Sequence, residues 1–185
     1  MNSRIITLKL ASAESIASNG CKMIIGDLES EHWAETVWAR SNIPKHSFMY
    51  WMAIQDRLKT RSMLKKMGIL DTEDCLLCGM HEENIRHLFF DCVYSRKCLE
   101  QVKNWLGWQA NINNLPSASR WINRAKITRF KKIIYAALLA GLVYNIWRCG
   151  NEVLWYQKLE KPEISIVNCC YQTCFGGIKC RWHVF

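Results

Sequence analysis

Residues 75–92 read CLLCGMHEENIRHLFFDC and place three cysteines and two histidines within eighteen positions. The ordered set is Cys75-x2-Cys78-x8-His87-x4-Cys92. Zinc takes four nitrogen or sulfur ligands in a tetrahedron, and a C-x2-C turn presents two thiolates to one ion because its short loop folds back through backbone N–H groups. His87 and Cys92 then close the other side. Four protein ligands leave no position open to water, so such an ion holds a fold together and activates no nucleophile. The set therefore predicts one structural Zn²⁺ on Cys75, Cys78, His87 and Cys92. His81 is the rival to His87, but it follows Cys78 too closely to share an ion comfortably and reads as an exposed loop residue. Cys98 lies on a helix face beside Val102 and reads as core. A redox pair of the thioredoxin kind needs its C-x-x-C at a strand-to-helix junction, and nothing here alternates like strands. A second group, Cys169, Cys170, Cys174, Cys180 and His183, has no ligand spacing that can be justified and reads as a tail with incidental thiols.

Several elements must position these ligands. Five positions from His87 to Cys92 exceed one helical turn, so the spacing predicts a short helix over residues 83–88 that unwinds before Cys92, with Leu88, Phe89 and Phe90 packed beneath the ion. Upstream, Trp33, Val37 and Trp38 are spaced for one helical face. Ser41-Asn42-Ile43-Pro44 interrupts, and Pro44 suits the first turn of a helix running to about Leu58, with Phe48, Trp51, Met52, Ile54 and Leu58 as its buried stripe. Thr60 is placed to cap a helix over residues 61–67, and Gly68 to end it in the left-handed conformation. Residues 69–74 form a loop into the cysteine cluster. Beyond it, Ser95 reads as the N-cap of a helix carrying Leu99, Val102, Trp105 and Leu106, ended by Gly107.

The stretch NINNLPSAS, residues 111–119, reads as a polar linker, and helical patterning resumes over residues 121–159 until Pro162 stops it. Within it, IIYAALLAGLVYNIW at 133–147 is the longest apolar run. Its fifteen residues fall short of the roughly 20 that cross a bilayer, which argues for a core helix and against a membrane span. The expected fold class is mainly α: a small helical domain with a zinc-knuckle loop, followed by a long C-terminal helix. The expected division is a loosely ordered lead (1–31), a zinc-binding domain (33–108), a linker (109–120), a long helical segment (121–160) and a Cys-rich tail (161–185).

Lys and Arg total 25 against 16 Asp and Glu, a net charge of +9 that favours polyanionic partners such as nucleic acid. The cations gather in two places. Lys45, Arg57, Lys59, Arg61, Lys65 and Lys66 precede the zinc loop, and Arg120, Arg124, Lys126, Arg129, Lys131 and Lys132 mark the start of the long helix. Ten cysteines suggest a disulfide scaffold only behind a secretory signal. The N-terminal segment lacks the apolar run of such a signal, so the thiols are expected to be reduced, in the nucleus or cytoplasm and not secreted.

Residues 33 to about 108 resemble the zinc-binding domain found downstream of the reverse transcriptase in plant non-LTR retroelements. The matching positions are Trp38, Ile43-Pro44-Lys45, Phe48, Trp51, Arg57-Leu58, Thr60, Leu64, Gly68, Cys75, Cys78, His87-Leu88-Phe89, Cys92 and Trp105. A weaker likeness continues through residues 121–155 in VYNIWRCGNEVLW, where relatives often carry a charged pair in place of Cys149-Gly150, and Gly150 is expected to weaken the helix. The resemblance implies the same four zinc ligands and a nucleic-acid-binding role beside a polymerase. The chain has no Asp-Asp dipeptide and too little sequence for polymerase palm and fingers. The expectation is thus a non-catalytic module that binds RNA or single-stranded DNA weakly and non-specifically, with no small-molecule substrate. The rival expectation is a protein-interaction or self-association module using the apolar helix 127–147.

Overall fold

The computed structural model describes residues 31–164, 166–168 and 170, and apart from an isolated antiparallel bridge between Asp74 and Glu82 its regular elements are helical. The lead read for residues 1–31, Glu31 apart, and all of the tail set except Cys170 lie outside the described residues. In chain order the elements are α1 (Ala34–Val37), α2 (Pro44–Ile54), α3 (Arg61–Lys66), a π turn (His87–Asp91), α4 (Val93–Leu106), α5 (Leu115–Arg124) and α6 (Arg129–Tyr156).

Helix α6 is the axis of the core. Residues 134–143 are buried without interruption, and α1, α2, α4, α5 and the π turn all pack against this helix. A helix apolar on every side needs cover on every side, and each fully buried aliphatic side chain contributes about 1.5–3 kcal/mol. By length and composition α6 could span a bilayer, but most of its apolar stretch is buried inside the protein. The zinc-loop segment and the long helix thus contribute to one hydrophobic core, in which Leu88, Phe89 and Leu99 join Leu138, Leu142 and Ile146.

Local signals set several boundaries. Pro44 occupies the first turn of α2, the Thr60 hydroxyl accepts from Met63 N–H at 3.4 Å to cap α3, and Gly68 and Gly107 take the left-handed φ values of 71° and 64°. Several expectations need correction. Helix α2 ends at Ile54 and buries His46, Ser47, Tyr50 and Ala53, while Phe48 is 51% exposed and Leu58 is buried beyond the helix end. Polar partners rotate this face inward: Tyr50 shares a 2.7 Å hydrogen bond with Ser119, and the His46 ring stacks 4.5 Å from Tyr144. Burial also drives the Tyr50 hydroxyl well above its usual pKa, although the Ser119 contact partly offsets this.

Helix α4 starts at Val93 with Cys92 as its extended N-cap residue, so Ser95 sits inside the first turn and caps nothing. Trp105 on that helix is half exposed. The stretch read as a linker contains the start of α5 at Leu115, where the Asn114 side chain accepts from Ser117 N–H at 2.7 Å and Leu115, Ala118 and Ile122 are buried. The helical segment read from Trp121 breaks at residues 125–128 before Thr128 caps α6.

Gly150 does not interrupt α6, which continues to Tyr156. A Cβ at this position meets no atom within 4 Å. Gly150→Ala should therefore raise stability by about 0.5–1 kcal/mol, because alanine loses less backbone freedom on entering a helix. A thermal midpoint unchanged or lowered in that variant would contradict this account of the position.

Candidate metal centre

The first two thiols are set by a short reversal of the chain. Cys75 N–H donates to the His81 carbonyl at 2.8 Å and Glu83 N–H to the Glu73 carbonyl at 2.8 Å, which closes residues 75–81 into a loop at the Asp74–Glu82 bridge. Inside it, Gly79 adopts φ 68° and its N–H reaches the Cys75 carbonyl at 2.7 Å. That left-handed residue, which glycine takes at no steric cost, turns Cys78 back beside Cys75. The N–H groups of Leu77 and Cys78 hydrogen-bond the Cys75 sulfur, as expected of a knuckle that holds thiolate charge.

The other two ligands come from the π turn. The Asn84 side chain accepts from His87 N–H at 2.8 Å, and Cys92 N–H donates to the His87 carbonyl at 2.8 Å across five positions. The helix expected over residues 83–88 instead starts at Ile85 and widens. The extra residue in the turn brings His87 and Cys92, too far apart for an α turn, to the same side while Leu88, Phe89 and Phe90 stay buried beneath.

The four donor atoms lie within 4.8 Å of one another. The Cys75 and Cys92 sulfurs are 4.0 Å apart, and Cys78 Sγ is 3.3 Å from His87 Nε2. Tetrahedral ligands at about 2.0–2.3 Å from zinc stand roughly 3.5–3.8 Å from each other, so the donor set and its spacing fit one structural zinc ion. Three thiolates and an imidazole leave the zinc complex with a net charge of about −1. The Cys75 thiol, with the N–H groups of Ser95 and Tyr94, holds Cys92 below the usual thiol range, while the same contact and burial push Cys75 up.

Two supporting residues lie outside the predicted ligand set. Glu83 is 7% exposed and its carboxylate accepts from Arg61 N–H at 3.1 Å at the start of α3 and from Leu76 N–H in the knuckle. It ties that helix to the metal loop. Burial raises its pKa above the ordinary carboxylate value, against those hydrogen bonds and the nearby Arg61 charge. The native state therefore holds the proton longer than the unfolded chain, and the group's contribution to stability falls as pH climbs from about 4.5 through the raised value. At neutral pH, Glu83→Gln should leave stability unchanged or slightly higher, whereas Glu83→Ala should cost about 1–3 kcal/mol by orphaning buried N–H groups. Equal denaturant midpoints for the two variants would refute the capping role. Asn84, the second supporting residue, stands three positions before His87, a capping offset that could have been found.

The remaining candidates separate clearly. His81 is exposed, its ring edge-on to His87 at 5.5 Å, and it is outside the donor group. Cys98 is fully buried, and burial together with Cys149, Glu163 and Cys92 pushes it up to about 12, so it stays a neutral thiol. Cys75, Cys78, Cys92, Cys98, Cys149 and Cys170 are free of disulfides. A further group, Cys149, Glu152 and Glu160, has its acids paired with Arg148, Glu160 at 3.0 Å, and reads as an ion-pair cluster.

The basic residues differ in how far they are committed. Arg61 donates to the Thr72 hydroxyl at 2.7 Å, Lys65 pairs with Glu73 at 3.0 Å, Lys59 lies against Met67 Sδ at 3.5 Å, and Lys45 stands 4.8 Å over the Tyr144 ring. Lys132 donates to the Asn123 carbonyl. Arg57 and Lys59 lie between α2 and α3, not on a helix. Arg57, Lys66, Arg124, Lys126, Arg129 and Lys131 are exposed, and none forms a salt bridge among the described residues.

Residues 17–98 match the family described as zinc-binding in reverse transcriptase. The matched stretch contains all four candidate ligands and begins ahead of Trp33, inside what was read as a lead. The match supports a zinc-binding domain of reverse-transcriptase origin over this stretch, and the family it belongs to is the zinc-binding one, not the catalytic one, of such enzymes. Neither the curated proteins nor the solved structures contain a match to the chain.

Proposed function

We propose that this protein is a non-catalytic accessory module, derived from a plant non-LTR retroelement, that binds single-stranded RNA or DNA weakly and without strong sequence preference. The observation that carries the proposal is the closed Cys75, Cys78, His87 and Cys92 set, which acts as a pin for the fold, beside exposed cations at the α5–α6 corner. The working compartment would be the nucleus or cytoplasm, where thiols stay reduced. Arg124, Lys126 and Lys131 are available to phosphates, whereas Arg61 and Lys65 already brace the loop before Cys75. Burial of residues 134–143 in the protein's own core counts against the rival self-association through helix 127–147.

Binding through roughly 4–6 phosphate contacts should give a log–log salt slope of about −3 to −4 on single strands, since each neutralised phosphate releases counterions. Reversing Arg124, Lys126 and Lys131 to glutamate should weaken binding alike for all sequences and flatten the slope by about 2. The Arg61, Lys65 and Lys66 triple reversal should lower stability more than it lowers affinity. Wild-type affinity no better than that of a lysine-rich peptide of equal charge, near 0.15 M salt, would reduce the binding to generic attraction and end the proposal.

A further inference from the structure

A groove of about 930 Å³ runs between α1 and the α5–α6 corner, lined by Trp38, Arg40, Arg129, Phe130 and Lys132, with Glu35 the acidic member. Its volume lies in the range of small-ligand sites, about 300–1,000 Å³. Trp38 is 52% and Phe130 58% exposed. Single exposed aromatic rings are ordinary on protein surfaces, but two lining one groove among cations present flat apolar faces beside anion-binding groups. Arg40 and Arg129 are exposed, and neither is in a salt bridge among the described residues. The aromatic surface continues from Trp38 to Trp51, 6.5 Å away, and on to Phe48 at 5.8 Å from Trp51. Arg129 and Phe130 also open α6, so the positive end of a 28-residue helix dipole faces this region.

We infer that this groove seats unpaired bases of a single-stranded nucleic acid, with Trp38 and Phe130 stacking on bases and Arg40 and Arg129 meeting the flanking phosphates. The inference rests on the proposed nucleic-acid-binding role and names its site, away from the zinc ligands. An acidic peptide would satisfy the cations but offers the ring faces a stacking partner only where its sequence happens to include an aromatic residue. A single strand alternates both features, and base–aromatic stacking tolerates any sequence because every base has a π-face.

The test uses the zinc-loaded full chain and a fluorescein-labelled oligothymidylate of about a dozen nucleotides, within the span of known single-strand sites. Trp38→Leu and Phe130→Ala should each weaken binding about fivefold or more with the salt slope unchanged, because a stacked base is worth about 1–3 kcal/mol. Trp38→Phe should restore most of the affinity, and Trp155→Ala, at a residue 74% exposed elsewhere, should change nothing. Arg40→Glu and Arg129→Glu should weaken binding and flatten the slope. Zinc content and thermal midpoint show that each variant is folded. Should wild type bind while Trp38→Leu and Phe130→Ala bind equally well, the groove is not the site, though the proposed function survives. Should wild type fail against the lysine-rich control, both fall together. Displacement by polyglutamate as effective as by unlabelled oligothymidylate of equal charge would make the groove a plain anion site and overturn the assignment.

Discussion

Cys75→Ser and Cys92→Ser proteins are expected to purify without zinc and with residues 69–95 unfolded. Both sulfurs are fully buried, and they stand 4.0 Å apart on opposite segments of the site, one in the knuckle and one after the π turn. Serine supplies a poor zinc ligand and leaves three donors, so the ion no longer joins the two segments. Structural zinc contributes on the order of 10 kcal/mol of folding free energy in small domains, comparable with the entire net stability of an ordinary domain, about 5–15 kcal/mol. The damage should spread, because Leu88, Phe89 and Phe90 on the π turn are buried in the core that α6 completes. Native mass spectrometry should count one zinc per wild-type chain and none in either variant, while Cys98→Ala keeps its ion. One zinc retained by Cys75→Ser would remove that residue from the site.

Phe89→Ala should destabilise the folded protein by about 3–5 kcal/mol, the usual cost of emptying a buried aromatic site. Phe89 is 3% exposed and lies between ligands His87 and Cys92 in the turn. Its backbone thus belongs to the metal site and its side chain to the core. If zinc binds only the folded loop, the lost folding free energy appears as weaker metal binding, about a hundredfold or more. Competition with a chelator would measure it, with Phe48→Ala, at a half-exposed ring, as the unaffected comparison. A Phe89→Ala protein that melts earlier yet holds zinc as tightly as wild type would show that site and core are independent.

The zinc ligands, the helical class and many helix boundaries were legible in the sequence because they depend on neighbours. All four ligands fall within eighteen residues, donor chemistry limits which side chains qualify, and Pro44, Thr60, Gly68 and Gly107 act through their own backbone angles and caps. The apolar run at residues 133–147 was similarly recognisable as core by its composition. Where the ligand spacing pointed to a short helix that unwinds before Cys92, the structure has a π turn instead, in which Leu88, Phe89 and Phe90 are all buried.

Tertiary structure alone decided which face of α2 turns inward. Hydrophobicity favoured Phe48, but Tyr50 finds Ser119 at a separation of 69 residues, and His46 finds Tyr144 on α6. Asn114 and the apolar residues that follow it became a helix inside a polar stretch for a related reason: Leu115, Ala118 and Ile122 gain a buried surface only when the rest of the core is present. Glu83 and the groove between Trp38 and Phe130 also depend on distant segments meeting. Capping and coordination are local free energies that a short stretch expresses by itself, whereas burial depends on what the rest of the chain brings to the other side.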